Sequence, residues 1–378
     1  MRRYYSRLLS KDMFKLSGPM GKIKNLTVFI LCAALVCCYL AGCAANKPAE
    51  MPSQIKIGVT VYDEYDTFVS SLTRSMSEWC KEKEKETGIA ISLDVVSAGG
   101  SQLTQNDQVE KFISKDYDAI CVNLVDRTDP TVIIDKARAA KTPVVFFNRE
   151  LVKEDLERWD NLFYVGARAE ESGRLQAQII IDELSDPERF DEIDVNHNGT
   201  IQYVMLEGEA GHQDSLIRTQ TCIDELKAAG FDLEKIGDET ANWDRDQAAT
   251  KMKNLLDKYP TQIEMVIANN DDMALGALQA VEEKNAAITP YVIGINGTEE
   301  ALEAVRVRKL NGTVFNDAAD QADAAMQICF FMALHPDDAS ISDLTVELSA
   351  NGHVLQNRKY VYSAYDMITY DNVQDYIN

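Results

Sequence analysis

The chain contains no CxxC pair, no surplus of positive charge, no apolar run long enough to cross a membrane, and no glycine spacing of the kind that cradles phosphate. Each absence removes a class of function. Of eight cysteines, Cys32, Cys37, Cys38 and Cys43 fall in or directly after an amino-terminal apolar segment. Cys121 sits in an apolar strand and Cys80, Cys222 and Cys329 in helical patterns, so four buried thiols are expected rather than disulfides. The longest apolar run, Leu26–Leu40, has about 15 residues where a membrane-spanning helix needs roughly 20. Lys and Arg total 38 against 61 Asp and Glu, a balance that repels phosphate backbones and anionic lipid and excludes nucleic acid as a partner. Ala98-Gly99-Gly100-Ser101 has neither GxGxxG nor P-loop spacing.

What is present begins with an export signal. Arg2, Arg3, Arg7, Lys11, Lys15, Lys22 and Lys24 precede the apolar run. The run ends in Leu40-Ala41-Gly42-Cys43, which resembles the bacterial lipobox, so residues 1–42 are expected to be removed and Cys43 to carry lipid. Residues 43–54 then form the lipidated cysteine and a tether with two prolines and little apolar content. A diacylglyceryl group supplies two chains, enough for stable anchoring at the extracytoplasmic face of the cell membrane. Without residues 1–42 the chain keeps 31 basic and 60 acidic residues, a formal charge of −29. Lipid alone would hold such a surface at a membrane.

Short apolar strands alternate with amphipathic helical stretches along the rest. Ile57–Tyr62, Phe68–Glu86, Ile89–Val96, Gln105–Ser114, Ala119–Val122, Pro130–Ala140 and Pro143–Phe147 lead to Asn148. The rhythm resumes from Phe163–Gly166 through Gln202–Leu206, Glu264–Ala268 and Tyr291–Ile295 to Glu299–Lys309. Near-continuous apolar strands separated by helices predict parallel sheets covered on both faces. So many units exceed one sheet, and two doubly wound α/β domains are expected, with the polar segment 186–198 as the main insertion.

Polar residues recur just beyond the strands: Asp66, Asn123, His212 with Asp214, Asn270, Asn296 and Asn316. In open α/β sheets that edge is where ligands bind. Arg218, four residues beyond Asp214, shares a helix face with it. Planar Asn, Asp, Arg and His heads give paired hydrogen bonds that match vicinal hydroxyls, and Phe68 and Trp243 in the same zone suit the C–H faces of a pyranose. A neutral polyol is the expected ligand. An Asn or Asp after a strand is usually a turn or a helix cap, but seven in equivalent positions point to a site.

One further motif stands apart. Asp194-Val195-Asn196-His197-Asn198-Gly199-Thr200-Ile201-Gln202 has oxygen-bearing side chains at every second position and glycine at the sixth, the first half of an EF-hand loop. The twelfth position, where bidentate Glu is needed, is Met205, so an Asx-rich turn remains open beside a calcium loop.

Several words of this chain, in order, resemble the D-galactose/D-glucose-binding proteins of sugar uptake systems, within the type 1 sugar-binding family of periplasmic binding proteins. They are Ile57-Gly58-Val59-Thr60-Val61-Tyr62, Asn123-Leu124-Val125-Asp126, Pro143-Val144-Val145-Phe146-Phe147-Asn148, Gly211-His212 with Asp214 and Arg218, Ala268-Asn269-Asn270-Asp271, and Gly312-Thr313-Val314 with Asn316-Asp317-Ala318. The resemblance implies two Rossmann-like domains joined by three hinge crossings, with one hexose, galactose or glucose, in the cleft between them. It divides the chain into a first lobe of residues 55–145 plus about 316–356 and a second of 146–315 plus about 357–378.

It also implies roles for single residues. Asp66 would accept from the sugar 4-hydroxyl, Asn123, His212, Asp214, Arg218, Asn270 and Asn316 would add hydrogen bonds, and Phe68 and Trp243 would sandwich the ring. Glu264 would complete the loop, so that Asp194, Asn196, Asn198, Thr200, Gln202 and Glu264 hold Ca2+. Asn296 stands where the family has an aspartate facing the sugar, which leaves the preference at the adjacent hydroxyls open. Asn198 replaces a frequent aspartate, so two carboxylates remain in the metal set and a lower affinity is expected.

The implied partners are a hexose and the permease of an ABC transporter, with a monomer expected; a sensor role, docking on a chemoreceptor or sensor kinase, is the alternative. A sugar-responsive repressor would need a basic helix-turn-helix head where this chain has an export signal. A glycosidase would need two carboxylates about 5 to 9.5 Å apart, and the only obvious pair, Asp66 and Asp214, belongs to opposite domains of the resembling family. No enzyme is expected.

Overall fold

Ile55, Ile57, Val59 and Val61 of β1 (Gln54–Val61) are buried, and so are Gly58 and Thr60 between them. A strand shielded on both faces belongs inside a parallel sheet. β1 pairs in parallel with β2 (Ala90–Ser97) and β3 (Ala119–Val122), and β4 (Val144–Phe147) and β5 (Leu162–Ala167) extend the sheet beyond β3. The computed structural model, which describes residues 51–336 and 339–377, packs helices Gln102–Ser114 and Thr131–Ala140 on one face, against Val144 and Phe146. Helix Thr67–Thr87 covers the other face, against Val145 and Phe147.

The chain then passes into a second lobe. β6 (Ile201–Glu207) lies between β7 (Leu233–Thr240) and β8 (Met265–Ala268), with β9 (Tyr291–Ile293) beyond β8, all parallel. β10 (Thr313–Asn316) continues that sheet through parallel bridges from Ile293 to Gly312 and from Asn296 to Phe315. After β10 the chain returns to the first lobe, where helix Ala318–Leu334 joins the core beside helix Thr67–Thr87 and β11 (Tyr360–Ser363) pairs with β5. It crosses once more to β12 (Tyr365–Ile368), antiparallel to β10.

The α/β architecture and the three crossings follow the sequence reading, but two crossings fall elsewhere. The first lies after Ala167 rather than between 145 and 146, because β5 pairs with β4. The last lies between Ser363 and Tyr365 rather than near 357, because β11 adds to the first sheet. A short apolar strand carries no local mark of the sheet it joins. Cys80, Cys121, Cys222 and Cys329 are buried and free, as expected. The export signal and Cys43 lie outside the described residues, among which no helix is long and apolar enough to cross a membrane.

Candidate functional site

Three of the expected site residues begin helices. Asp66 caps helix Thr67–Thr87 through Val69 N–H, His212 caps helix Gln213–Ala228 through Asp214 N–H, and Asn270 caps helix Asp271–Lys284 through Met273 N–H. Capping and facing the cleft are therefore one placement, since the cap residue sits where unpaired N–H groups and the positive helix end meet the ligand edge.

Eight of the ten expected residues line one small cavity: Asp66 and Phe68 from the first lobe, and His212, Asp214, Arg218, Trp243, Asn270 and Asn296 from the second. The two aromatics come from opposite lobes, as a sandwich requires. The cavity is small, about 30 Å3. The lobes also touch beside it, through the 2.9 Å ion pair of Arg149 with Glu209.

The electrostatics of this cavity fix which groups donate. Burial, reinforced by Arg149, Arg218 and Arg127, pulls the His212 pKa down to about 3, so the ring is neutral. Its Nδ1 accepts from Asp214 N–H at 3.1 Å, which assigns the ring proton to Nε2. Burial raises the Asp214 pKa against the pull of Arg218, Arg149 and Arg127. Arg218 donates from Nη1 to the Asn269 carbonyl at 2.9 Å and from Nη2 to Tyr365 Oη at 3.3 Å, and lies 3.9 Å from Asp214. Burial opposes its charge, but Tyr365 and Asp214 more than restore it. Its buried Nε has no partner within the protein.

Trp243 is held in an uncommon backbone conformation. Asn242 and Trp243 have φ of 53° and 66°, a left-handed pair that non-glycine residues adopt at a cost. The Trp243 carbonyl accepts from Asn270 Nδ2 at 3.0 Å. Its indole lies edge-on to His212 at 5.2 Å and fills the place of a side chain at Gly208, where a Cβ would come within 2.2 Å of the ring.

Two expected residues do not reach the cavity wall. Asn123 is fully buried, donates to the Phe147 carbonyl and Asn148 Oδ1, and accepts from Tyr62 N–H, so its amide braces the cavity from behind. Asn316 accepts from Gln321 Nε2 at 2.6 Å and borders an adjoining cavity. In their place stand Tyr62, Asn148 and Arg149, which sequence reasoning missed. The Tyr62 hydroxyl donates to Asp66 at 2.6 Å, and the Arg149 guanidinium stacks on the Tyr62 ring at 3.5 Å. All three directly follow strands, β1 or β4, so the strand-end rule applied to every polar residue would have found them.

The oxygen loop forms a second cluster, within the second lobe. Asp194 accepts from Asn198 N–H and Gly199 N–H, and Asn198 Oδ1 accepts from Thr200 N–H. Glu264, 1 % exposed, accepts from Gln202 N–H at 2.9 Å and from Asn196 Nδ2 at 3.0 Å, while Asn196 also donates to Gln202 Oε1. The Thr200 carbonyl accepts from Gln202 Nε2 at 3.1 Å. Burial raises the Glu264 pKa and Asp194 adds to it, against the N–H groups of Gln202 and Asn196. A hard cation would relieve that repulsion, and turning the Asn196 amide over would present a further oxygen to it. Among the described residues no three His, Cys, Asp or Glu side chains are grouped to hold a metal; this donor set has two carboxylates, completed by amide and carbonyl oxygens.

Comparison with known proteins identifies the family. The family model described as "Periplasmic binding protein domain" matches residues 57–334. The D-galactose/methyl-galactoside binding periplasmic protein MglB of Haemophilus influenzae is 34% identical over 285 residues, 75% of this chain and 83% of that protein. The xylitol-binding protein of Mycolicibacterium smegmatis is 30% identical over 289 residues, 76% of this chain and 75% of that protein. A crystal structure of an ABC transporter solute binding protein from Bacillus halodurans C-125 with bound myo-inositol superposes with a TM-score of 0.67 at 27% identity, over 87% of this chain and 98% of that one. The chain belongs to the periplasmic binding protein family.

Proposed function

We propose that this protein captures a hexose, galactose or glucose, and delivers it to the permease of an ABC transporter. The observation that carries the reading is the cavity itself: neutral His212, acceptors Asp66 and Asp214, donor Arg218 and the aromatic walls Phe68 and Trp243, supplied by both lobes. Such a set suits vicinal hydroxyls. The names of the relatives, a galactoside binder and two polyol binders, support the same ligand class. Because both lobes supply the cavity wall, a sugar enters and leaves only when they part. Hydroxyls bridging both lobes then favour the closed state over the open one, and closure is what a permease would read. The oxygen loop is assigned to calcium in a stabilising role, and Cys43 to a lipid anchor at the extracytoplasmic face.

The test is a calorimetric panel of galactose, glucose, ribose, xylitol and myo-inositol against the protein and its Asn296→Asp variant. A hexose is expected to bind best without product appearing. Asn296 is 8% exposed on the cavity wall, and a carboxylate there makes charge-assisted bonds, so the variant should tighten hexose binding by about 1 to 2 kcal/mol. Loss of binding in the variant, with xylitol or myo-inositol preferred by the parent, would replace the hexose assignment with a polyol.

A further inference from the structure

Tyr62, Asp66 and Trp243 belong to two spaces at once. Besides the small cavity, they line a groove of about 780 Å3 between the start of helix Thr67–Thr87 in the first lobe and segments 242–245 and 298–303 in the second. That volume lies within the usual range of small-molecule sites, about 300 to 1,000 Å3, and far exceeds the 30 Å3 of the cavity behind it. Tyr65, 86% exposed, stands on the groove wall. Its backbone N–H is held by Asp63 Oδ1 at 2.9 Å, which fixes the chain beneath a ring whose face is open to solvent. Thr67, Ser70, Asn242 and Thr298 line the same groove and can both donate and accept.

Charge narrows what could lie there. The carboxylates of Asp66, Asp244, Asp272, Glu299, Glu300 and Glu303 face the groove with only Arg74 and Arg245 as cations, and Arg245 is already paired with Glu300 at 2.7 Å. An anionic group is repelled, whereas a neutral ring bearing hydroxyls finds an aromatic face and paired hydrogen-bond partners.

We propose that the groove is a second subsite and that the ligand is a glycoside, with one sugar unit enclosed in the cavity and a second, neutral unit laid against Tyr65. The assignment rests on the sugar reading of the cavity and names the part of the ligand that the cavity cannot contain. Tyr62, Asp66 and Trp243 frame the passage between the two units.

The test titrates the purified protein with galactose, glucose, and the neutral disaccharides lactose, melibiose, cellobiose and maltose, each in parallel with Tyr65→Ala. At least one disaccharide is expected to bind about tenfold or more tighter than its parent monosaccharide, a gain that corresponds to 1.4 kcal/mol. Tyr65→Ala should remove the gain and leave the monosaccharide affinity unchanged. A glucuronide of the same sugar should show no gain, and one that binds as tightly as the neutral disaccharide would overturn the charge assignment. If monosaccharides bind and every disaccharide binds more weakly, the groove assignment falls while the sugar reading stands. If a disaccharide gains but Tyr65→Ala keeps the gain, the second unit lies elsewhere and the assignment falls. If no sugar binds, both readings fall.

Discussion

The interlobe cavity and the oxygen loop are built from much the same residue types, yet they treat polar groups in opposite ways. In the loop, the N–H groups of Asn198, Gly199, Thr200 and Gln202 reach the oxygens of Asp194, Asn198 and Glu264, all within one lobe. In the cavity, the groups come from two lobes, the charges of three guanidiniums act on His212 and Asp214, and Arg218 Nε is left without a partner in the protein. A cluster organised by its own backbone acts on folding stability. A cluster completed only when two bodies meet acts on affinity.

The largest expected effect tests the loop side of that contrast. Chelating calcium should lower stability by about 2.7 kcal/mol where free calcium had stood at a hundredfold excess over its Kd, with hexose affinity nearly intact; melting curves with and without calcium add-back, beside calorimetry, measure both. An unchanged melt after verified metal removal would remove the loop from the stability side. Trp243→Ala should do the reverse and weaken hexose binding by about 1 to 3 kcal/mol, a change in Kd that exceeds its change in melting. A melt that collapses at unchanged affinity would place Trp243 with the core instead.

The smallest effect comes from a third polar cluster, buried in the first lobe. His353, 5% exposed, contacts Asp323 at 2.6 Å and lies 3.7 Å from Asp320, and Trp79 Nε1 donates to Asp323 at 2.7 Å. Burial pulls its pKa down, but the hydrogen bond to Asp323 and the charges of Asp320 and Asp323 outweigh burial and leave it raised. A raised folded pKa contributes stability that is fully present below the unfolded value of about 6.5 and is lost as pH rises through the folded value. Both carboxylates are partly solvated, so about 1 kcal/mol is expected. His353→Gln should flatten the fall in melting temperature above about pH 6.5 without moving hexose affinity; a parent melt that rises over that window would contradict the sign.

How far the sequence could be read follows from which information is local. The strand–helix rhythm is local, and so is the placement of Asp66, His212 and Asn270, because a cap residue and a strand end are both set by neighbours in the chain. The choice of sheet for β5 and β11 is not local, and the lobe boundaries moved for that reason. Asn123 and Arg149 exchanged roles for another reason: one amide turned inward to brace Tyr62 and Asn148, and a long guanidinium reached into the space. Side-chain direction at a strand end depends on what packs behind it. Glu264 was found only through resemblance, since nothing near it in sequence points to a loop 62 residues away at Gln202.

The triple crossing also orders the assembly of the molecule in time. Between Ala169 and Asn316 the second lobe has β6 to β10 in one uninterrupted stretch, so its strands can pair as soon as that stretch exists. The first lobe has to wait. Its sheet is finished by β11, and its core by helix Ala318–Leu334, where the bond from Trp79 to Asp323 spans 244 residues. Contacts of such separation carry the loop-closure cost before they return anything and slow folding accordingly. The lobe that is synthesised first should therefore stay unfinished while β6 to β10 of the second lobe pair, with the part of the β3 and β4 face that helix Ala318–Leu334 covers left open until that helix arrives.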